Sequence, residues 1–408
     1  MRGLGTRRPA ACYRCTLLIR VHLQVHSTDF RSRHYRSGVS ITRQLAPLSL
    51  VAELPVLTAA LIDIPSESHE EEQIADLIEQ ALRSYSHLSV TRIGNSVIAT
   101  NHANRGDRII LAGHLDTVPA NGNLPHHVES ERIYGLGAAD MKGGVAIALQ
   151  LAATVTDPVC DVTYIFYESE EVSSEFNGLL KISQISPEFL EADFAVLMEP
   201  SNANIEAGCQ GTMRASITTR GERAHSARSW MGKNAIHQAR EILEILENYE
   251  PASPVIDGLT FREGLSAVAI TGGIAGNVIP DLCCVTVNYR FAPDKTVDQA
   301  IAHVQEIFAG FDVDINDQAP GALPGLSHPA AQAFLVATGA TVAPKFGWTD
   351  VARFSAMGTP AVNYGPGDPS IAHSKGEFVN VEELISVATN LQRWLTEQSS
   401  PIHGGLDS

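Results

Sequence analysis

The chain has 408 residues, 44% of them hydrophobic and 18% charged, which suits an ordinary globular protein too long for one small core and leaves room for two domains. No apolar run reaches the roughly 18–20 residues that a membrane span requires, and a net charge of −17 argues against nucleic acid and anionic membrane as partners. The charge is uneven: residues 1–45 hold nine Arg, no Lys and one acid, Asp29, a balance of +8, so the remaining 363 residues carry −25.

The Arg-rich stretch reads either as a targeting segment or as an extension ahead of a native start near residues 38–50. Under either reading, residues 1–45 are set outside the fold as a disordered or non-native extension. Cys12 and Cys15 form a lone CxxC there, and with no second pair a zinc ribbon is not indicated.

From about residue 50 helices and strands alternate. Helices are predicted over 50–61 and 70–85, the second with Ser66 and Ser68 as candidate caps. Strands follow at 89–92, 96–100 and 108–113, then a helix at 143–153 and a strand at 162–167. A helix at 175–184, with Glu175 in its acidic first turn, and a strand at 193–198 come next. This order predicts an α/β fold with a mixed sheet covered by helices, a catalytic domain formed by 46–209 and 321–408.

The segment between reads differently. A strand at 211–220 precedes an amphipathic helix at 234–248, with Ile236, Ala239, Ile242, Leu243 and Leu246 on one face. Strands at 266–272 and 282–291, a helix at 297–309 and a strand at 312–315 complete a small α+β unit. It is read as an inserted lid or dimerisation domain at 210–320. Cys283 and Cys284 are neighbours on a strand and point to opposite faces. No disulfide framework is indicated, which fits a reducing, cytoplasmic compartment.

Apolar strands run repeatedly into metal-type ligands. In "LAGHLDTVP" (111–119), His114 and Asp116 share a face, so the carboxylate can fix the tautomer of the ring; a capped turn is an equal reading. In "YGLGAADMKGG" (134–144), Asp140 can bridge two cations or merely cap a helix. "YESEEVSSE" (167–175) places Glu170 and Glu171 side by side, so both can serve one site only if the strand ends and turns there. Glu168, deeper along the strand, is read as structural. "VLMEPSN" (196–202) ends in Glu199, and "GPGDPSIAHSKGEFV" (365–379) offers His373. Nitrogen and oxygen ligands without thiolates suit Zn²⁺, with Mn²⁺ or Co²⁺ as alternatives.

These motifs, in this order over about residues 50–397, resemble the dizinc amidohydrolase and peptidase family that includes carboxypeptidase G, aminoacylase and acetylornithine deacetylase. The phrases "HLDTVPANGNLP", "YESEEVSSEFNGL", "MEPS" and "GCQGTMRA" carry a narrower resemblance, to the family's desuccinylases. The resemblance implies two Zn²⁺ per subunit and hydrolysis of an N-acyl amide, in the narrower case an N-succinyl amide of a small amino acid. It implies that His114 and Glu199 hold one metal, that Glu171 and His373 hold the other, and that Asp140 bridges them. Asp116 would orient His114, and Glu170 would be the general base. A cis peptide between Asp140 and Met141 is implied as well.

In "RGERAHSARSWMGKNAI" (220–236) the resemblance makes His225 a residue that reaches the partner subunit's site, which implies a homodimer. It makes Asn277, Arg290 and Arg353 substrate-binding residues, where each Arg is equally readable as a structural ion pair. Glu199 stands where dipeptidase and tripeptidase relatives tend to have Asp. Two departures are Ala352, where Ser or Gly is common, and the final His motif, which varies; neither fixes a substrate. Another deacylase or a carboxypeptidase of the family is the alternative. A binding protein without activity is disfavoured by the intact Glu170 and ligand set.

Overall fold

The computed structural model describes residues 46–101 and 104–397, so the Arg-rich segment and its CxxC pair lie outside the described residues. The larger sheet is ordered Leu88–Ile93, Ser96–Asn101, Asp161–Tyr167, Arg108–His114, Phe194–Leu197, Ala361–Asn363, Ile205–Ala207 and Val342–Pro344. It is mixed. The four strands Asp161–Tyr167, Arg108–His114, Phe194–Leu197 and Ala361–Asn363 are adjacent and mutually parallel, while the first two strands pair antiparallel. The parallel strands are apolar on both faces, as strands covered by helices must be. The helix Gly143–Thr154 packs between Leu54–Ile62 and Val381–Thr396. A separate cluster joins Ile110, Ile165 and Leu197 to Leu179 and Ile182 of the helix Gly178–Ile185 and to Val351 and Phe354 of Val351–Ala356.

The second sheet has the order Gly264–Gly272, Leu282–Phe291, Gly211–Arg220 and Asp312–Ala319, antiparallel throughout. Its alternation is clean: Met213, Ala215 and Ile217 are buried, and Val285, Val287 and Tyr289 face the same core. The helices Ala235–Glu247 and Val297–Ile307 close that core with Ala239, Ile242, Ala300 and Val304. The opposite face, bearing Arg214 and Arg290, is left for the cleft.

Several expectations are corrected. The first helix starts at Leu54, not residue 50, because Pro55 sits at its opening turn. The second spans Glu72–Leu82, and Ser66 and Ser68 do not cap it. Their hydroxyls donate instead to Leu115 O (2.7 Å) and Asp116 Oδ2 (2.8 Å), forty-eight or forty-nine residues away. Glu175 lies in a separate short turn, Ser174–Phe176. The next helix begins at Gly178 under Asn177, whose Oδ1 accepts from the amides of Leu179 and Leu180.

Candidate metal centre

Each of the four adjacent parallel strands delivers site residues at its C-terminal end, where open α/β sheets leave room for ligands. His114 ends one strand, Glu170 and Glu171 follow Tyr167, and Glu199 follows Leu197. His373 lies in the loop after Asn363. Asp140 enters from the side, just ahead of the helix Gly143–Thr154, and its peptide bond to Met141 is cis. That helix lies flush on the neighbouring strand: a Cβ on Gly144 would meet Met198 O at 2.2 Å, so only glycine fits.

The side chains converge on Asp140. His114 Nε2 lies 3.1 Å from Asp140 Oδ1, and His373 Nε2 lies 3.4 Å from Oδ2. The two carboxylate oxygens thus face two different imidazoles, which is the disposition of a bridging ligand. His373 Nε2 is also 2.7 Å from Glu171 Oε1. The ligand atoms of His114, Asp140 and Glu171 lie within 4.8 Å of one another, close enough to hold a metal ion. Glu199 is buried close enough to feel the charges of both Asp140 and His114.

Asp116 sits behind this layer, fully buried. Its carbonyl oxygen is 3.0 Å from His114 Nδ1 and its Oδ1 is 3.5 Å away, so Nε2 is the nitrogen left facing Asp140. The same carboxylate accepts the amides of Glu170 (2.9 Å) and Glu171 (3.0 Å). The strand ends at Tyr167, and Ser169 turns the chain with φ 58°, which is how neighbouring glutamates come to one site. Glu168 is buried and ion-paired with Lys181 at 2.8 Å, away from the cluster.

Concentrated negative charge dominates the electrostatics. Burial, then the charge of Asp140, pushes Glu199 up to about 8, although His114 and Lys345 counter it. Burial and the charges of Asp350, Glu199 and Glu171 likewise push Glu170 well up against the pull of His114. Contacts with Asp140 and Glu171 raise His373 to about 10. Burial opposes a proton on His114, yet its contacts with Asp116 and Asp140 outweigh that and raise its pKa well above the ordinary value. Asp140 is held below the carboxylate range by the two imidazoles, against the effect of burial. Two imidazoles and several carboxylates thus crowd one another, and hard or borderline dications satisfy this N/O donor set. The residues fit a metal centre.

A cleft of about 770 Å³ opens over Glu170 and Glu171, walled by Arg214, Arg290, Trp348 and Arg353. Arg290 Nε donates to Asn288 Oδ1 (3.2 Å), and among the described residues no carboxylate pairs with it. Burial and the neighbouring charge of Arg214 lower its pKa. Arg353 is committed: Nε bonds Asp350 Oδ1 at 2.5 Å and Nη2 bonds Ser174 Oγ at 2.7 Å. His225 and Asn277 do not line the cleft. Both are exposed and lie together, since Ala224–His225 pairs with Val278–Ile279 and the Ser226 amide donates to Asn277 O (2.9 Å).

Sequence reasoning missed several supporting residues. Buried Glu377 Oε1 accepts the amides of Ala139 (2.9 Å) and Asp140 (3.1 Å), and burial pushes its carboxyl up to about 7. Lys142 Nζ donates to Ile64 O (2.7 Å) from a fully buried position, and burial lowers it to about 7. Asp350 ties Asn177 to Arg353. The only signal for these was charge inside motifs already singled out: "DMKGG", "SKGEFV" and "WTDVARF".

Comparison with known proteins agrees with this geometry. A Mycobacterium tuberculosis protein, provisionally named succinyl-diaminopimelate desuccinylase, is 54% identical over 83% of this chain and 97% of its own length. The succinyl-diaminopimelate desuccinylase of Corynebacterium glutamicum is 46% identical over 86% of this chain and 98% of its own. The fold matches an aminopeptidase from Bacillus cereus at a TM-score of 0.68, with 20% identity, covering 85% of this chain and 99% of that one. It also matches a dinuclear metal-binding peptidase from Bacillus subtilis at 0.63, with 17% identity, over 85% and 97%. The model of peptidase family M20/M25/M40 matches residues 110–397, and the chain belongs to that family of hydrolases.

Proposed function

We propose that the protein is a two-zinc amidohydrolase that cleaves the N-succinyl amide of N-succinyl-LL-2,6-diaminopimelate to succinate and LL-2,6-diaminopimelate, a step of lysine and diaminopimelate biosynthesis. The observation that carries this reading is the 54% identity, over nearly the whole length, to a relative bearing that activity in its name. His114 and Glu199 would hold one metal, Glu171 and His373 the other, with Asp140 between them; Co²⁺ or Mn²⁺ would suit the same donors. When bound, the metals would bring the pKa of a water toward about 7 and polarise the scissile carbonyl.

The chain's own residues do the rest. Glu170, at the cleft floor beside Glu171, takes the proton of the attacking water and returns it to the leaving amine. Asp116 holds His114 in the tautomer with Nε2 free. His225 Nδ1 accepts the Ala227 amide (3.0 Å), which leaves Nε2 as the ring nitrogen free to donate, and the residue does not line its own cleft. We assign that donor, with Asn277 beside it, to the active site of a partner subunit, where oxyanion stabilisation of about 3–4 kcal/mol is typical for one donor. Arg290 is the primary contact for a substrate carboxylate, and Arg353 shares that role at the rim while tied to Asp350.

A homodimer through the inserted domain follows from the same assignment. Its edge strand Gly264–Gly272 exposes Val268 and Ile270, and Ile274 continues the patch. The catalytic domain would comprise 46–209 and 321–408, and the lid 210–320. A cytoplasmic location suits the cysteines Cys160, Cys209, Cys283 and Cys284, all free. No helix among the described residues is long and apolar enough to cross a membrane.

The test is a comparison of initial rates on N-succinyl-LL-diaminopimelate and N-acetylornithine, with added zinc and after chelation. Rapid, zinc-restored cleavage of the first is expected. Faster cleavage of N-acetylornithine would move the substrate to the acetylated class.

A further inference from the structure

The turn that presents Glu170 and Glu171 is held by two buried carboxylates from different segments. Asp116 takes the amides of Glu170 and Glu171. The preceding amide, of Ser169, goes to Glu71 Oε1 at 3.1 Å, and the Ser169 hydroxyl donates to the same oxygen at 3.0 Å. Three consecutive N–H groups therefore end on carboxylate oxygens. Glu71 Oε1 also accepts the amide of His69 (2.9 Å), so one atom gathers three donors, while its Oε2 has no partner. Glu71 is completely buried.

Both residues tied to Glu71 have left-handed backbone: Ser169 at φ 58° and His69 at φ 77°. Non-glycine residues hold that conformation only when their surroundings over-determine it. The segment around Glu71 is itself anchored to the His114 side of the site. The Thr117 amide donates to Ser66 O (2.9 Å), the Ser68 amide donates to Thr117 O (3.1 Å), and Ser68 Oγ donates to Asp116 Oδ2 (2.8 Å). Residues 66–71 thus brace the chain carrying His114 against the chain carrying Glu170 and Glu171.

We propose that Glu71 is a positioning residue that locks Ser169 in its left-handed turn and so sets the spacing between Glu170, Glu171 and the His114–Asp140 pair. It acts through the Ser169 amide and hydroxyl. This deepens the hydrolase reading above and rests on it for the roles of Glu170 and Glu171. Acceptance matters here, not charge, because all three bonds converge on one oxygen. Glutamine keeps that oxygen.

The experiment compares full-length wild type, Glu71→Ala, Glu71→Gln and Ser169→Gly by kinetics, by metal titration and by amide hydrogen exchange. Glu71→Ala is expected to lower kcat about 10- to 100-fold with little change in KM. It should weaken binding of the second metal equivalent by a similar factor, and speed exchange at residues 169–171. Glu71→Gln should restore most of all three. Ser169→Gly accommodates the left-handed turn and keeps the amide, but loses the side chain and with it the hydroxyl bond to Glu71, so a loss of about 3- to 10-fold is expected; if Glu71→Ala does not fold, wild-type kinetics and exchange in Ser169→Gly would overturn the proposal. Wild-type kcat, metal binding and exchange in folded Glu71→Ala, with only a lower Tm, would overturn the proposal. Glu71→Gln as impaired as Glu71→Ala would overturn it too. The titration and exchange measurements use no substrate, so they stand even if N-succinyl-diaminopimelate proves not to be cleaved.

Discussion

The cleft floor and the His225–Asn277 surface hold similar polar side chains in opposite settings. On the floor, His114 and Asp116 are almost fully buried, the ring nitrogens of one and the carboxylate oxygens of the other all have partners, and residues from four strand ends meet. At the surface, His225 and Asn277 are exposed and bonded to each other's segments but to nothing in the cleft. Exposed Trp230 and Met231 follow directly. The floor's side chains are packed against one another, whereas the side chains of the surface pair are exposed. A buried charged cluster must be satisfied during folding; an exposed pair can wait for assembly.

The variants that separate these two regions differ in size of effect. Asp140→Ala removes the carboxylate shared by both imidazoles and should abolish metal binding and turnover together, seen by elemental analysis of the purified protein. Glu170→Ala should keep the metals and lose about 10²- to 10⁴-fold in kcat; a normal rate would end its assignment as base. His225→Ala should lose about 10²- to 10³-fold with metal content unchanged. Mixing His225→Ala with Glu170→Ala then breaks or sharpens the contrast. If the surface serves a partner, re-dimerised mixtures should recover about a quarter of wild-type activity, because half the dimers carry one intact composite site. If the mixture stays at the sum of its parts, the surface has another purpose. The smallest effect belongs to the cleft wall: if Arg290 binds a substrate carboxylate, Arg290→Met should raise KM about 10- to 100-fold, with kcat less affected, through loss of a charge-assisted hydrogen bond.

Much of the floor is legible in the sequence. Apolar runs that empty into His114, Glu170–Glu171 and Glu199 mark where buried strands stop, and local order alone places them at one edge. The turn at Ser169 is legible as a necessity, because neighbouring glutamates cannot share a face on a regular strand. What holds that turn is not legible. Ser66 and Ser68 look like helix caps by local rule, yet their hydroxyls reach residues 115 and 116, and Glu71 reaches Ser169. Such bonds have no periodicity, so only the packed fold shows them. The strands His127–Glu129, Arg132–Tyr134 and Phe378–Asn380 are hidden for a simpler reason: three residues are too few to establish an alternation.

Gly144 has a wider consequence. Its backbone rests directly on Met198, the residue before Glu199, and it lies four positions after Asp140. The gap between those two carboxylates is therefore gauged by main chain against main chain, with no side chain between to bend or re-rotate. Either carboxylate can be replaced while the gauge stays fixed. A change at Gly144 would leave both carboxylates in the sequence and alter the distance between them.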